Sequence, residues 1–251
     1  MQWTIGSDID GTLTGDDAAL RRLVDRLAEF RRAGGMFVLV TGRSYGEVLC
    51  GLVDEGLPMP DAIITQVGTE IYLPPFVPEC ESMPEWSATL AQSFTHQQAV
   101  DLVEPDGQWA LQPGKANTPF KASWWYVGRG DAHAAAQRVA ARVDQAPGYR
   151  VIWSSGRDLD ILPAVAGKGR ALRFLLQHWQ RDPDSCVVAG DTGNDIDMIG
   201  SFSHGIVVAN AQAELLNFGR ERNGDQVFMA SHPYAAGVEQ GLDYWSVLPA
   251  L

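Results

Sequence analysis

The chain has 251 residues, 45% hydrophobic and 20% charged, enough apolar material to build a core without a disulfide or metal staple. Its formal net charge of −12 includes no basic block, which argues against nucleic-acid and membrane partners but allows a small anionic substrate held by a local cluster of cations. Cys50, Cys80 and Cys186 form no CxxC and the five histidines fall in no ligand spacing, so reduced thiols in a cytoplasmic protein are expected and a transition-metal site is not.

The first strand is expected over WTIGS (3–7), which leaves no room for a cleavable leader. Residues 17–33 place Leu20, Leu23, Val24, Leu27 and Phe30 on one face of an amphipathic helix, ended by Gly34-Gly35. MFVLV (36–40) is continuously apolar and β-branched, the pattern of a strand buried on both faces and far too short to cross a bilayer. A helix over 44–55 and a strand over 61–65 follow. This strand–helix alternation predicts a parallel sheet with helical crossovers.

The rhythm breaks at PPFVPECESMPEW (74–86), a proline-rich acidic linker. Beyond it a helix is expected near 86–103 and a strand over FKASWWYV (120–127). A helix near 131–145 and strands over 149–155 and 158–162 complete a small α+β unit. From Gly167 the first rhythm resumes, with a helix over 168–180, strands over 185–190, 205–210 and 226–230, and a terminal helix. The fold class is therefore α/β: a parallel-sheet core, residues 1–80 and 164–251, with a smaller α+β unit inserted over 81–163.

Ligands of parallel α/β sheets bind beyond the carboxyl ends of the strands. There the chain places Asp8 and Asp10, Thr41-Gly42-Arg43, the segment 66–70, and Asp191 to Asp195, with Lys168 opening the helix after the insert. Taken singly, each is ordinary: Asp-Gly after a strand is a common turn. Together they gather four carboxylates on one edge, which repel unless a cation neutralises them. Hard oxygen ligands beside a single lysine suit Mg²⁺, which binds a few carboxylates, water and a substrate phosphate.

DIDGT with the LT that follows it, TGRS (41–44), GKG around Lys168 and GDTGND (190–195) resemble the four ordered motifs of the haloacid dehalogenase-like (HAD) hydrolases. The insert lies where members with the larger, type 2 cap carry theirs. SDIDGTLT, VGTEIY (67–72), FKASWW (120–125), DLDILP (158–163) and VVANAQAEL (207–215) are most similar to the sucrose-phosphate phosphatase family.

The resemblance implies a Rossmann-like core with a mobile cap, and a Mg²⁺-dependent phosphatase. Asp8 would be the nucleophile that forms an aspartyl-phosphate, and Asp10 the general acid and base. Thr41 and Lys168 would hold the phosphoryl group and the nucleophile. The Asp8 carboxylate, the Asp10 backbone carbonyl and Asp191 would ligate Mg²⁺, with Asn194 and Asp195 in support. Gly42 and Arg43 are assigned to the substrate with Asn194, and Gly68, Thr69, Glu70, Lys121 and Asp158 to a sugar distal to the phosphate.

Alternation along 120–126 places Lys121, Ser123 and Trp125 on one side, expected to face the cleft, and Phe120, Trp124 and Tyr126 on the other. A disaccharide phosphate is the expected substrate. Sucrose 6-phosphate comes first, with mannosylfructose phosphate and other glycosyl phosphates (glucosylglycerol phosphate, mannosyl-3-phosphoglycerate) as rivals. A phosphomannomutase-like phosphomutase is a further alternative on the same scaffold. The enzyme is expected to act as a monomer.

Overall fold

Residues 4–65 fold as strand, helix, strand, helix, strand because the apolar runs are strand-length and the intervening segments carry helix-start signals. The computed structural model describes residues 2–103 and 107–248. β1 (Thr4–Ser7), β2 (Met36–Val40) and β3 (Ala62–Thr65) are buried almost throughout. α1 (Asp17–Arg32) starts at Asp16, whose carboxylate accepts from the Ala18 and Ala19 backbone N–H groups. α2 (Tyr45–Asp54) starts at a Ser44–Glu47 capping box. A turn at 66–68 leads into β4 (Glu70–Tyr72), which runs back along β3 antiparallel to it. At three residues β4 is too short to show a strand period.

The helix expected near 86–103 is two helices, α3 (Pro84–Leu90) and α4 (His96–Asp101). Trp86 and Leu90 pack in the larger hydrophobic core, whereas Phe94 and Ala99 pack in the smaller one. The helix breaks where the chain crosses between the two cores. α3 thus lies within the expected insert, 81–163, yet builds onto the first core.

The insert continues with β5 (Trp109–Leu111), β6 (Ala122–Tyr126), α5 (Ala132–Val143), β7 (Tyr149–Ser154) and β8 (Asp158–Pro163). The strands form an antiparallel sheet in the order β5-β6-β8-β7. One face presents Ala122, Trp124, Leu159 and Ile161 to α4 and α5, closing the smaller core. Ser123 pairs across the sheet with Asp160, and Trp125 with Asp158. These residues share the other face, and Arg150 and Ile152 of β7 join them through their own register. That face is turned toward the first sheet: Ile152 lies in the larger core and Arg150 reaches Asp197.

The chain then returns through α6 (Lys168–His178), β9 (Cys186–Gly190), α7 (Ile196–Ile199), β10 (His204–Val207), α8 (Ala213–Arg220), β11 (Val227–Met229) and α9 (Tyr234–Tyr244). The first sheet has the order β11-β10-β9-β1-β2-β3-β4, parallel except at β4. From β1 the chain builds outward to one side, and from β9 to the other. The crevice between these two strands is the topological switch point where ligands of open α/β sheets bind. Among the described residues, no helix is long and apolar enough to cross a membrane.

Candidate active site

Strand register assembles the site. Ser7 lies opposite Leu39 of β2 and Ala189 of β9, so Thr41 and Asp191, each two residues further on, flank the Asp8–Asp10 segment. The Asp8 backbone N–H donates to Ala189 O at 3.0 Å. Two glycines let the strand ends close up. Gly11 has φ +75°, and a side chain there would strike the Asp191 carboxylate. A Cβ at Gly190 would lie 2.5 Å from the Asp195 side chain. Asn210, inside the quoted VVANAQAEL, donates to Gly11 O at 2.7 Å and fixes the turn. Sequence reasoning gave it no role.

Lys168 is completely buried, and its Nζ donates to Asp8 Oδ1 at 2.8 Å and Asp195 Oδ1 at 2.7 Å. Burial opposes its charge, but the two carboxylates outweigh this and raise its pKa. Burial and the charges of Asp195 and Asp191 lift Asp8 well above the usual carboxylate range, against the pull of Lys168. Burial and Asp195 push Asp191 up to about 7, although Thr12 Oγ1 donates to it at 3.1 Å. Three buried carboxylates around one ammonium leave the site short of positive charge.

Oxygens of Asp8, Asp191 and Asp195 all lie within 4.8 Å of one another. Asp195 Oδ2 accepts the backbone N–H groups of Asp191 and Thr192, both at 3.0 Å. With Oδ1 accepting from Lys168, its carboxylate takes three hydrogen bonds and braces the others. All-oxygen donors with excess negative charge fit a hard divalent cation such as Mg²⁺, held chiefly by Asp8 and Asp191.

Asp10 stands apart from this cluster. Its side chain is 61% exposed and is gripped by Arg43, whose Nη2 and Nε donate at 2.6 and 2.8 Å. The same guanidinium donates to both oxygens of Glu55, at 2.6 and 2.9 Å. Arg43, expected to bind substrate, is therefore committed to two carboxylates, and the carboxylate of Asp10 is not among the cluster's oxygens. Asp10, Arg43, Glu47, Cys50 and Glu55 line a cavity of about 470 Å³ at the mouth of the site. Nothing in the sequence marked Glu55.

Thr41 is buried and its Oγ1 accepts from the Arg43 N–H at 3.1 Å. A Cβ on Gly42 would sit 4.0 Å from Asn194 Nδ2, so these two border the same space. Gln66 and Val67 both adopt positive φ, 51° and 58°, a conformation unusual for a β-branched residue. Thr41 O and Arg43 O hold that turn by accepting from Val67 N and Gln66 N.

Gly68 and Thr69, expected to hold sugar, are buried packing residues. A side chain at Gly68 would collide with the Gly167 backbone, and Thr69 Oγ1 donates to Gln66 O. Glu70, at the same sheet edge, is partly buried and accepts from Thr65 Oγ1 at 2.8 Å and Tyr72 OH at 3.1 Å.

On the second sheet Lys121 is buried, and its Nζ donates to Ser123 Oγ at 2.8 Å and lies 3.6 Å from Asp160. Ser123 Oγ in turn donates to Asp160 Oδ1 at 2.5 Å. Asp158 accepts from Gln112 Nε2 at 3.1 Å. Asp160 was missed, although the alternation of DLDIL puts it on the face of Asp158. The insert meets the core where Gln66 Nε2 donates to Lys115 O at 3.0 Å and Lys115 pairs with Glu47.

A family model described as sucrose-6F-phosphate phosphohydrolase matches residues 1–246. The chain belongs to this family. It is a phosphatase with the haloacid dehalogenase-like fold. Over 249 residues it is 32% identical to the mannosylfructose-phosphate phosphatase of Agrobacterium fabrum, covering 98% of this chain and 97% of that one. It is 30% identical to sucrose-phosphatase 1 of tobacco (Nicotiana tabacum) over 98% of its own length, but spans only 59% of that relative. The solved sucrose-phosphatase of Synechocystis, in complex with sucrose and phosphate, is 28% identical and superposes with a TM-score of 0.91 over 99% of both chains.

Proposed function

We propose that this phosphatase hydrolyses a disaccharide phosphate, sucrose 6-phosphate foremost, through an aspartyl-phosphate on Asp8. One observation carries the reading: both sheets, and not the catalytic core alone, superpose on a sucrose-phosphatase. Core motifs handle a phosphate, whereas the matching second sheet is what could read a sugar.

In this reading Asp8 attacks phosphorus, oriented by Lys168 at 2.8 Å. Thr41 and Lys168 hold phosphoryl oxygens in line. Asp10 protonates the departing sugar oxygen and then takes a proton from the hydrolytic water, which requires its fork with Arg43 to open. Asp8 and Asp191, braced by Asp195, would hold Mg²⁺. When bound, Mg²⁺ supplies the positive charge that lets an anionic carboxylate and an anionic phosphate share the site. Lys121 and Asp158 on the second sheet, and Glu70 on β4, would offer charged hydrogen-bonding groups to the sugar hydroxyls.

A second reading, mannosylfructose phosphate, is favoured by the 32% identity along nearly the whole of that relative. Both substrates are hexosyl-fructose phosphates and differ in the hexose. The test is phosphate release from a panel of mono- and disaccharide phosphates with Mg²⁺ and no bisphosphate activator. Sucrose 6-phosphate should give the highest kcat/KM. A preference for mannosylfructose phosphate would move the assignment to the second reading, faster monosaccharide turnover would overturn both, and strict dependence on an activator would indicate a mutase.

A further inference from the structure

Gly167 is a crossing point. It has φ +140°, and a Cβ there would lie 2.5 Å from Asp197 Oδ2 and 2.7 Å from Arg150 Nη1. Only a residue without a side chain leaves room for those two groups directly before Lys168. Arg150 Nη1 donates to Asp197 Oδ1 at 2.9 Å and to Ala166 O at 2.7 Å. The other oxygen, Asp197 Oδ2, accepts the Gly169 N–H at 2.9 Å.

That last bond replaces a missing one. A helix leaves its first N–H groups without partners, and an Ser, Thr, Asp or Asn at its start normally answers them. α6 starts after Gly167, which has no side chain to do so. Asp197, some thirty residues later in the chain, caps α6 in its place. Lys168 is the first residue of the helix so fixed, and Asp197 lies two residues beyond Asp195, which receives one of the Lys168 hydrogen bonds.

We propose that Arg150 and Asp197 are positioning residues for Lys168. The second sheet, through Arg150, orients Asp197; Asp197 pins the first turn of α6; and the turn sets where the buried ammonium meets Asp8. The inference rests on the phosphatase reading in which Lys168 takes part in the chemistry. The pair is mostly buried, its side chains 22% and 11% exposed, so removing one partner also costs stability; Asp197→Asn, which keeps the shape and one acceptor oxygen, is the milder change. A misplacement of about 1 Å at a reacting group can cost on the order of 10²-fold in rate. The loss of rate should therefore exceed what any loss of folded protein accounts for.

The test uses the full chain with Mg²⁺ and p-nitrophenyl phosphate. Arg150→Met and Asp197→Asn, each assayed well below its own Tm, should lower kcat by roughly 10- to 100-fold with KM within about threefold of the parent. Arg150→Lys, which keeps the charge, should recover part of the loss. In a Lys168→Ala background, Asp197→Asn should add less than about twofold, because the route runs through the lysine. Should Arg150→Met fail to fold, Asp197→Asn carries the same comparison.

Unchanged kcat in the single variants, a loss confined to KM, or full multiplication with Lys168→Ala would overturn the proposal while leaving the phosphatase reading intact. A parent that releases no phosphate, or a Lys168→Ala enzyme as fast as the parent, would sink both.

Discussion

The two polar regions that face each other across the molecule are built on opposite principles. At the β1–β9 crevice, three buried carboxylates surround one lysine and the charge does not balance. On the second sheet, Lys121, Ser123 and Asp160 form a closed circuit, and Asp158 has Gln112. A buried charge left unbalanced costs free energy in the free protein, so the first region is shaped for something that arrives. The second is satisfied by its own members; in the proposed reading it is the rigid surface that selects the sugar. The contrast implies that changes in the crevice act on turnover, and changes on the sheet act on which substrate is accepted.

The sharpest way to break that contrast is Asp8→Asn. An amide cannot attack phosphorus, so phosphate release should fall below detection. Tm in metal-free buffer should not drop, since one of the repelling charges is gone. Substantial turnover in a clean preparation would refute the assignment.

Asp10→Asn should follow, with a loss of about 10²- to 10⁴-fold for a sugar phosphate. The loss in the first step should be smaller for p-nitrophenyl phosphate, whose leaving group needs little acid help, so phospho-enzyme should accumulate and be trapped on quenching. Equal losses for both substrates without a trapped intermediate would argue against a proton-carrier role.

At the proposed sugar site, Lys121→Ala on the second sheet and Glu70→Ala on the edge strand of the first should raise KM for the disaccharide phosphate by roughly tenfold, the scale of one lost charged hydrogen bond. They should leave p-nitrophenyl phosphate hydrolysis nearly unchanged. Equal damage to both substrates would mean that these residues serve the fold.

The smallest effect is thermal. Asp191 has a folded pKa of about 7 against an ordinary 3.8. A raised carboxylate binds more protons folded than unfolded, so its charging makes stability fall as pH rises from about 4 to about 7. A bound divalent cation should reverse this. The Mg²⁺-induced rise in Tm should be larger at pH 8 than at pH 5, and EDTA should remove it together with activity. An equal rise at both pH values would place the cation elsewhere.

The features that could be read from the chain are those written locally. Asp8, Asp10, Thr41, Lys168 and Asp191 each sit at a strand end or helix start, and strand register then brings Asp8, Thr41 and Asp191 together without further information. The two-helix form of 84–101 could not be read, because it depends on which of two cores receives Trp86 and which receives Phe94. Arg43 was assigned to the substrate, and the structure shows it gripping Asp10 and Glu55. Its partner Glu55, the residue that caps the end of α2, has no pattern that would have given it away. Gly68 and Thr69 lie in the quoted VGTEIY, where Gly68 packs against the Gly167 backbone and Thr69 bonds Gln66 O. Sequence patterns report that a residue is constrained; only the contacts say by what.

The central place of β1 has a consequence for how the protein is made. β1 lies between β2 and β9, and Thr12 meets Asp191 across a separation of 179 residues. During synthesis at roughly 5–20 residues per second, β9 follows β1 by on the order of ten seconds or more. Until then one edge of an apolar strand has no partner, and unpaired edges invite pairing with other chains. A nascent or truncated chain ending inside the insert should therefore aggregate or recruit chaperones, and release of the segment that carries Asp191 should complete both the sheet and the crevice in one step.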